Sequence, residues 1–133
     1  MRYLVAYLAT GLAFLLLDAG FLSLVGPRLY RPDLNPILAD SVRLAPAVLF
    51  YALYVAGLTV FCVAPASGAW LRAAVAGLML GLVAYGTYDF TCQAVMRAWT
   101  WRITLVDLAW GAFASATAAA AGALAVSRLA ARG

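Results

Sequence analysis

Four runs of apolar residues, at about 3–25, 45–64, 70–92 and 103–127, occupy most of the chain. Crossing the hydrocarbon core of a bilayer takes about 20 helical residues, and each run is long enough. In lipid every backbone N–H and C=O must be bonded within the structure, and runs this rich in Ala and Leu can meet that demand only as helices. The expected fold is therefore all-α: a polytopic membrane protein whose four transmembrane helices form one bundle over residues 1–133. With 67% hydrophobic and 11% charged residues, and a mean hydropathy of +0.97, the chain has too little polar surface to cover a soluble globule.

The first run follows Arg2, as a signal peptide would, but it is too long for that, carries Asp18 inside it and is followed by Gly26-Pro27-Arg28 without a small-residue cleavage site. It is expected to remain as the first helix. The linker from Gly26 to Leu44 is punctuated by Pro27, Pro32 and Pro36. Asn35 can cap a helix that begins at Pro36, and Leu34, Ile37, Leu38 and Val42 share a face that excludes Asp40 and Arg43. A short amphipathic interfacial helix over about 35–43 is expected, lying on the bilayer surface or folded over the bundle as a lid. Residues 65–69 and "RAWTWR" (Arg97 to Arg102) read as tight turns, with Trp99 and Trp101 placed as interfacial anchors.

All nine basic residues are Arg, all five acids are Asp, and there is no His, Lys or Glu. Without His there is no His-ligated haem or zinc site of the H-E-x-x-H kind, so no metal and no cofactor is expected. The net charge of +4 is spread over single Arg residues at the ends of apolar runs, a pattern of headgroup anchoring that does not point to nucleic acid as a partner. With four spans, Arg2, Arg72, Arg128 and Arg132 lie on one side and Arg28, Arg31, Arg43, Arg97 and Arg102 on the other. Four against five sets no orientation. Cys62 and Cys92 end their helices on opposite sides of the membrane, about 30 Å apart, and cannot pair within one chain.

Three aspartates, Asp18, Asp89 and Asp107, fall inside the spans, where a charge at mid-bilayer costs about 2.5–3.5 kcal/mol on insertion scales. Counting about 1.5 Å per residue puts Asp18 roughly 10 Å inside, and Asp89 and Asp107 about 5–6 Å inside, all in the half facing the long linker. Helical spacing adds Tyr85, Gly86, Cys92 and Gln93 to the face of Asp89, with Tyr88 next to it, and Thr104, Trp110 and Gly111 to the face of Asp107. Arg97 and Arg102 are the nearest candidate counter-ions. The expectation is a polar pocket built from the first, third and fourth helices, with Asp18, Asp89 and Asp107 as candidate catalytic groups. The competing reading is that these residues only join helices through hydrogen bonds and ion pairs. Asp33 and Asp40 read as solvated. Ala73, Gly77 and Gly81, and Gly111, Ser115 and Ala119, recur at four-residue spacing, which permits close helix approach.

"LDAGFL" in the first run, "LFYALYVAGL" in the second, "TYDFTCQAVMRAW" closing the third and "TLVDLAWG" opening the fourth together resemble a bacterial family of small membrane proteins, domain of unknown function 2177. The similarity runs nearly end to end. Asp18, Tyr88, Asp89, Asp107, Trp110 and Gly111 match the family's motifs, while Phe21 stands where Trp is usual and Cys92-Gln93 where Asn-Leu is usual. The resemblance implies four helices and a multi-pass protein of the bacterial inner (cytoplasmic) membrane, and it brings no established activity.

Three functions are compatible with these features. The first is binding, or acid-base modification, of a membrane lipid or other small amphipathic molecule whose polar end sits among the aspartates. The second is an accessory subunit of a larger membrane complex, or a homo-oligomer, packing through small-residue faces. The third is a small transporter, including one that inserts in both orientations.

Overall fold

The computed structural model describes residues 1–133 and contains helices and turns without any strand. Helix α1 (Arg2–Leu24) is followed by two short helices, α2 (Gly26–Leu29) and α3 (Arg31–Leu34), and a 3-10 turn (Asn35–Ile37). Helix α4 (Leu44–Leu58) continues through a π turn (Thr59–Val63) into α5 (Ala64–Ala66), and α6 (Trp70–Val95) and α7 (Trp101–Arg132) complete the chain. Four stretches, Arg2–Leu24, Leu44–Ala66, Trp70–Val95 and Trp101–Arg132, are long and apolar enough to span a membrane, as the sequence predicts.

Local chemistry explains the breaks. Pro65 has no N–H to donate to the carbonyl of Phe61, and the turn ahead of it widens to the π form. Ser67 and Gly68 take positive φ (51° and 86°) and reverse the chain into α6. At its 32 residues, α7 reaches about 48 Å, so it must tilt or carry Arg128 and Arg132 beyond a hydrocarbon core of about 30 Å.

The bundle is built around its smallest side chains. Half of the apolar window of α7 is buried, against 22–33% for the other spans, so α7 is the central helix. It is also the alanine-rich one, and its buried face includes Gly111, Ala114, Ser115, Ala118, Ala119, Gly122 and Ala123. A Cβ added at Gly77 would lie 2.6 Å from the Ser115 carbonyl oxygen, and one at Gly81 would lie 2.5 Å from that of Gly111. The four-residue spacing of small residues thus marks a backbone-to-backbone contact of α6 on α7. Large apolar residues fill the remaining core, with Phe14, Tyr54, Leu58 and Val63 packed on the α7 alanines. Leu4, Leu8, Leu12, Leu53, Val75 and Leu105 are among those left facing outward, as lipid contact requires.

The linker departs from expectation in register. Its helical turns fall at 26–37 rather than 35–43, and Leu38 is already extended (ψ 143°). Pro27 and Pro32 occupy the first turns of α2 and α3, where a missing N–H costs nothing. Asn35 makes no capping bond, and no helix follows Pro36 beyond a single turn. The turns at 26–34 fold over one end of the bundle, with Leu29 and Leu34 buried against Phe21, Trp99 and Ile103, whereas residues 35–43 are exposed.

Polar contacts hold this strap down. Arg102 Nη2 donates to the carbonyls of Arg28 (3.2 Å) and Leu29 (3.1 Å) and lies 3.5 Å from Asp33 Oδ2. Thr100 caps α7 by accepting from the Ile103 N–H, and its hydroxyl donates to Asp33 (3.1 Å). Asp33 is therefore tied to the start of α7 rather than solvated. Trp99, expected as an interfacial anchor, is 8% exposed and donates its indole N–H to Thr104 Oγ1 (3.1 Å).

Candidate functional site

Beneath the strap the intramembrane aspartates come together from three helices. Asp18 is buried on α1, with Oδ1 accepting from Trp110 Nε1 of α7 (3.1 Å) and Oδ2 accepting from the Tyr51 hydroxyl of α4. Phe21, one turn on, stacks on the Trp110 ring (centroids 4.6 Å apart, planes 7° from parallel) and fixes the indole that serves Asp18. Asp107 on α7 is buried and accepts from the Tyr30 hydroxyl, which the strap delivers from between α2 and α3. Asp89 on α6 is 0% exposed, and neither of its carboxyl oxygens has a hydrogen-bond partner.

Tyr30 reports how closely these acids converge. Its burial above all, then the charge and hydrogen bond of Asp107, and after them Asp89 and Asp18, hold the phenol well above its ordinary pKa. It stays a neutral donor.

A cavity of about 580 Å³ opens beside the cluster. Asp18, Asp107, Tyr30 and Tyr85 contribute its polar groups; Phe21, Phe50, Tyr88 and Trp99 give aromatic walls, and Leu34, Ile37 and Leu38 come from the strap. Its position follows from the helix arrangement. α6 packs on the π turn and α5 at the far end of the second span rather than along α4, so the two spans part toward the strap. Phe50 on one side and Ala84 and Tyr88 on the other line that gap. Leu22, Phe50 and Tyr88 are 45–58% exposed, so this side of the cavity reaches the outer surface of the bundle.

Of the residues singled out in the sequence, Asp18, Tyr85, Tyr88 and Asp107 line the cavity, and Trp110 bonds Asp18. Asp89 lies in the same cluster without lining the open space. Thr104 donates to Gln93 Oε1 (2.7 Å) while accepting from Trp99, a chain that joins α6 to α7 beside the cavity. Cys92 is a half-buried free thiol, and Cys62 is free and buried. The two arginines lie elsewhere. Arg97 follows the end of α6 at Val95, where the extended backbone of Met96 breaks the helical face it was expected to share, and it is exposed. Arg102 is committed to the strap.

Three groups escaped sequence reasoning: Tyr30, Tyr51 and the buried pair Tyr54–Ser115 (2.6 Å). Tyr51 and Tyr54 sit three apart in "LFYALYVAGL", a spacing that puts them on one face, but that helix is apolar all round and nothing in it marks the face as inward. The site thus includes α4 and the strap as well as α1, α6 and α7.

Chemically the site offers acceptors, neutral donors and rings. No three His, Cys, Asp or Glu side chains are placed to hold a metal ion. The chain belongs to the family described as "Predicted membrane protein (DUF2177)", whose model matches residues 3–124. No curated protein and no solved structure matches it.

Proposed function

We propose that this member of the DUF2177 membrane-protein family, acting in the bacterial inner membrane, binds a small amphipathic or lipid molecule in the strap-covered cavity. The supporting observation is a space of about 580 Å³ with mostly apolar walls and two carboxylates within it. Ligand sites typically occupy about 300–1,000 Å³ and combine an apolar lining with a few placed polar groups. A tail entering between Phe50 and Tyr88 would lie on the aromatic walls, while the polar end would reach Asp18 and Asp107. Any chemical step on the bound molecule would draw on the carboxyls of Asp18, Asp89 and Asp107, which are the acid-base groups of the cluster.

The test is a native mass spectrum of protein extracted gently from membranes, compared with Ala84→Phe, whose added ring would fill the cavity. A bound small molecule on the wild type and none on the folded variant is expected. Bare protein in both, or equal retention by both, contradicts the reading.

A further inference from the structure

We infer that the polar end of the bound molecule is an organic cation, an amine or quaternary ammonium group, held by Asp107 and Asp18 against aromatic rings. This rests on the binding reading above and adds the charge of the ligand.

The first observation is the charge balance of the cavity. Asp18 and Asp107 line it, and no Arg does. Arg102 is engaged with Asp33 and two strap carbonyls, and Arg97 is exposed beyond the end of α6. Every donor that reaches the two carboxyls is neutral: Tyr30 to Asp107, Tyr51 and Trp110 to Asp18. Phenols and an indole orient a carboxylate without cancelling its charge.

The second observation is Asp89, fully buried with both carboxyl oxygens unpartnered. Asp89 adjoins Asp107, so the two carboxyls sit together behind the cavity. No arginine pairs with Asp89, since the one ion pair of the chain joins Arg102 to Asp33. An anionic headgroup would meet like charge on entry. A cation would be attracted, and the aromatic side chains of Phe21, Phe50, Tyr85, Tyr88 and Trp99 line the space it would enter. The carboxyls do not converge as metal ligands. The spread-out charge and aromatic walls suit an alkylammonium group instead.

The experiment uses the full chain in detergent and probes matched in chain length: decylamine, decanol and decanoic acid, with short-chain phosphatidylethanolamine as competitor. Binding is read as occupancy in native mass spectra. Decylamine is expected to bind as a single copy about tenfold or more tighter than decanol, with decanoic acid weakest. Asp107→Asn should weaken decylamine about tenfold and leave decanol unchanged; Asp18→Asn supplies the same comparison if Asp107→Asn does not fold. Competition by the phosphatidylethanolamine would identify the ammonium as that of a lipid headgroup, and its failure to compete as that of a free cationic amphiphile. Equal binding of all three probes, or a preference for decanoic acid, overturns the inference and leaves the cavity reading standing. Binding of none overturns both.

Discussion

Replacing Gly81 by Ala tests the contact that sets the shape of the bundle. The added Cβ would sit 2.5 Å from the Gly111 carbonyl oxygen and 2.9 Å from Ser115 Oγ. A comfortable C···O approach is about 3.3 Å, so α6 must withdraw from α7 by about 0.8 Å or the backbone must bend. The Gly111 oxygen is a backbone atom and Ser115 Oγ is held by its hydrogen bond to the Tyr54 hydroxyl (2.6 Å), and overpacking of this kind costs about 1–3 kcal/mol. The gain in helix propensity from Gly to Ala, about 0.5–1 kcal/mol, offsets part of that. A net loss of about 1–2 kcal/mol is expected. Gly20→Ala is the control, because a Cβ there meets nothing within 4 Å and the change should be neutral or slightly stabilising. The pair Gly77→Ala and Gly81→Ala should together cost less than the sum of the two, since one separation of the helices relieves both clashes. Equilibrium unfolding in mixed micelles, followed by circular dichroism, gives these values. If Gly81→Ala is as stable as Gly20→Ala, the backbone contact of α6 on α7 is refuted.

Two other perturbations have defined outcomes. Thr104→Val leaves the Trp99 indole N–H and Gln93 without their shared partner, and should cost about 1–3 kcal/mol in the same unfolding measurement while leaving helix content unchanged. Tyr30 is raised in the folded state above the ordinary phenol value of about 10, so its stabilising contribution is fully present below pH 10 and is lost as the pH rises further. The stability difference between wild type and Tyr30→Phe should therefore be constant from neutral pH to about pH 10 and narrow above it, by at most roughly 1.4 kcal/mol per pH unit.

Spans, turns and the small-residue contact are legible in the sequence because each is a local property. Apolar length sets a span, Ser67-Gly68 sets a reversal, and Gly77-Gly81 facing Gly111-Ser115 needs only a four-residue period. The depth count places Asp18, Asp89 and Asp107 in one half of the membrane because helix rise is constant. Rotation about the helix axis is a different matter. In a helix apolar on every side, no amphipathic pattern says which face turns inward, so the partnership of Tyr51 with Asp18 needs the packed bundle. Tyr30 lies in a proline-broken linker where no period applies, and its reach to Asp107 depends on how the strap folds back. The strap also redirects Arg102, since carbonyls left free at the end of α2 and the Asp33 carboxylate compete for its guanidinium.

Asp18 and Asp107 also join helices through Tyr51, Trp110 and Tyr30, so Asp89, which makes no such bond, is the residue that separates a cluster arranged for a bound molecule from one that only holds helices together. If Asp89 is structural glue, replacing its carboxyl removes an interaction and lowers stability. If it is an unpartnered carboxyl kept for a ligand, the nearly isosteric Asn removes no bond the fold depends on, because function and stability oppose each other at such sites. In ligand-free protein, the unfolding free energy of Asp89→Asn is predicted to equal or exceed that of wild type by up to about 1 kcal/mol. A loss of more than about 1 kcal/mol would make Asp89 a structural residue and not one kept for a ligand.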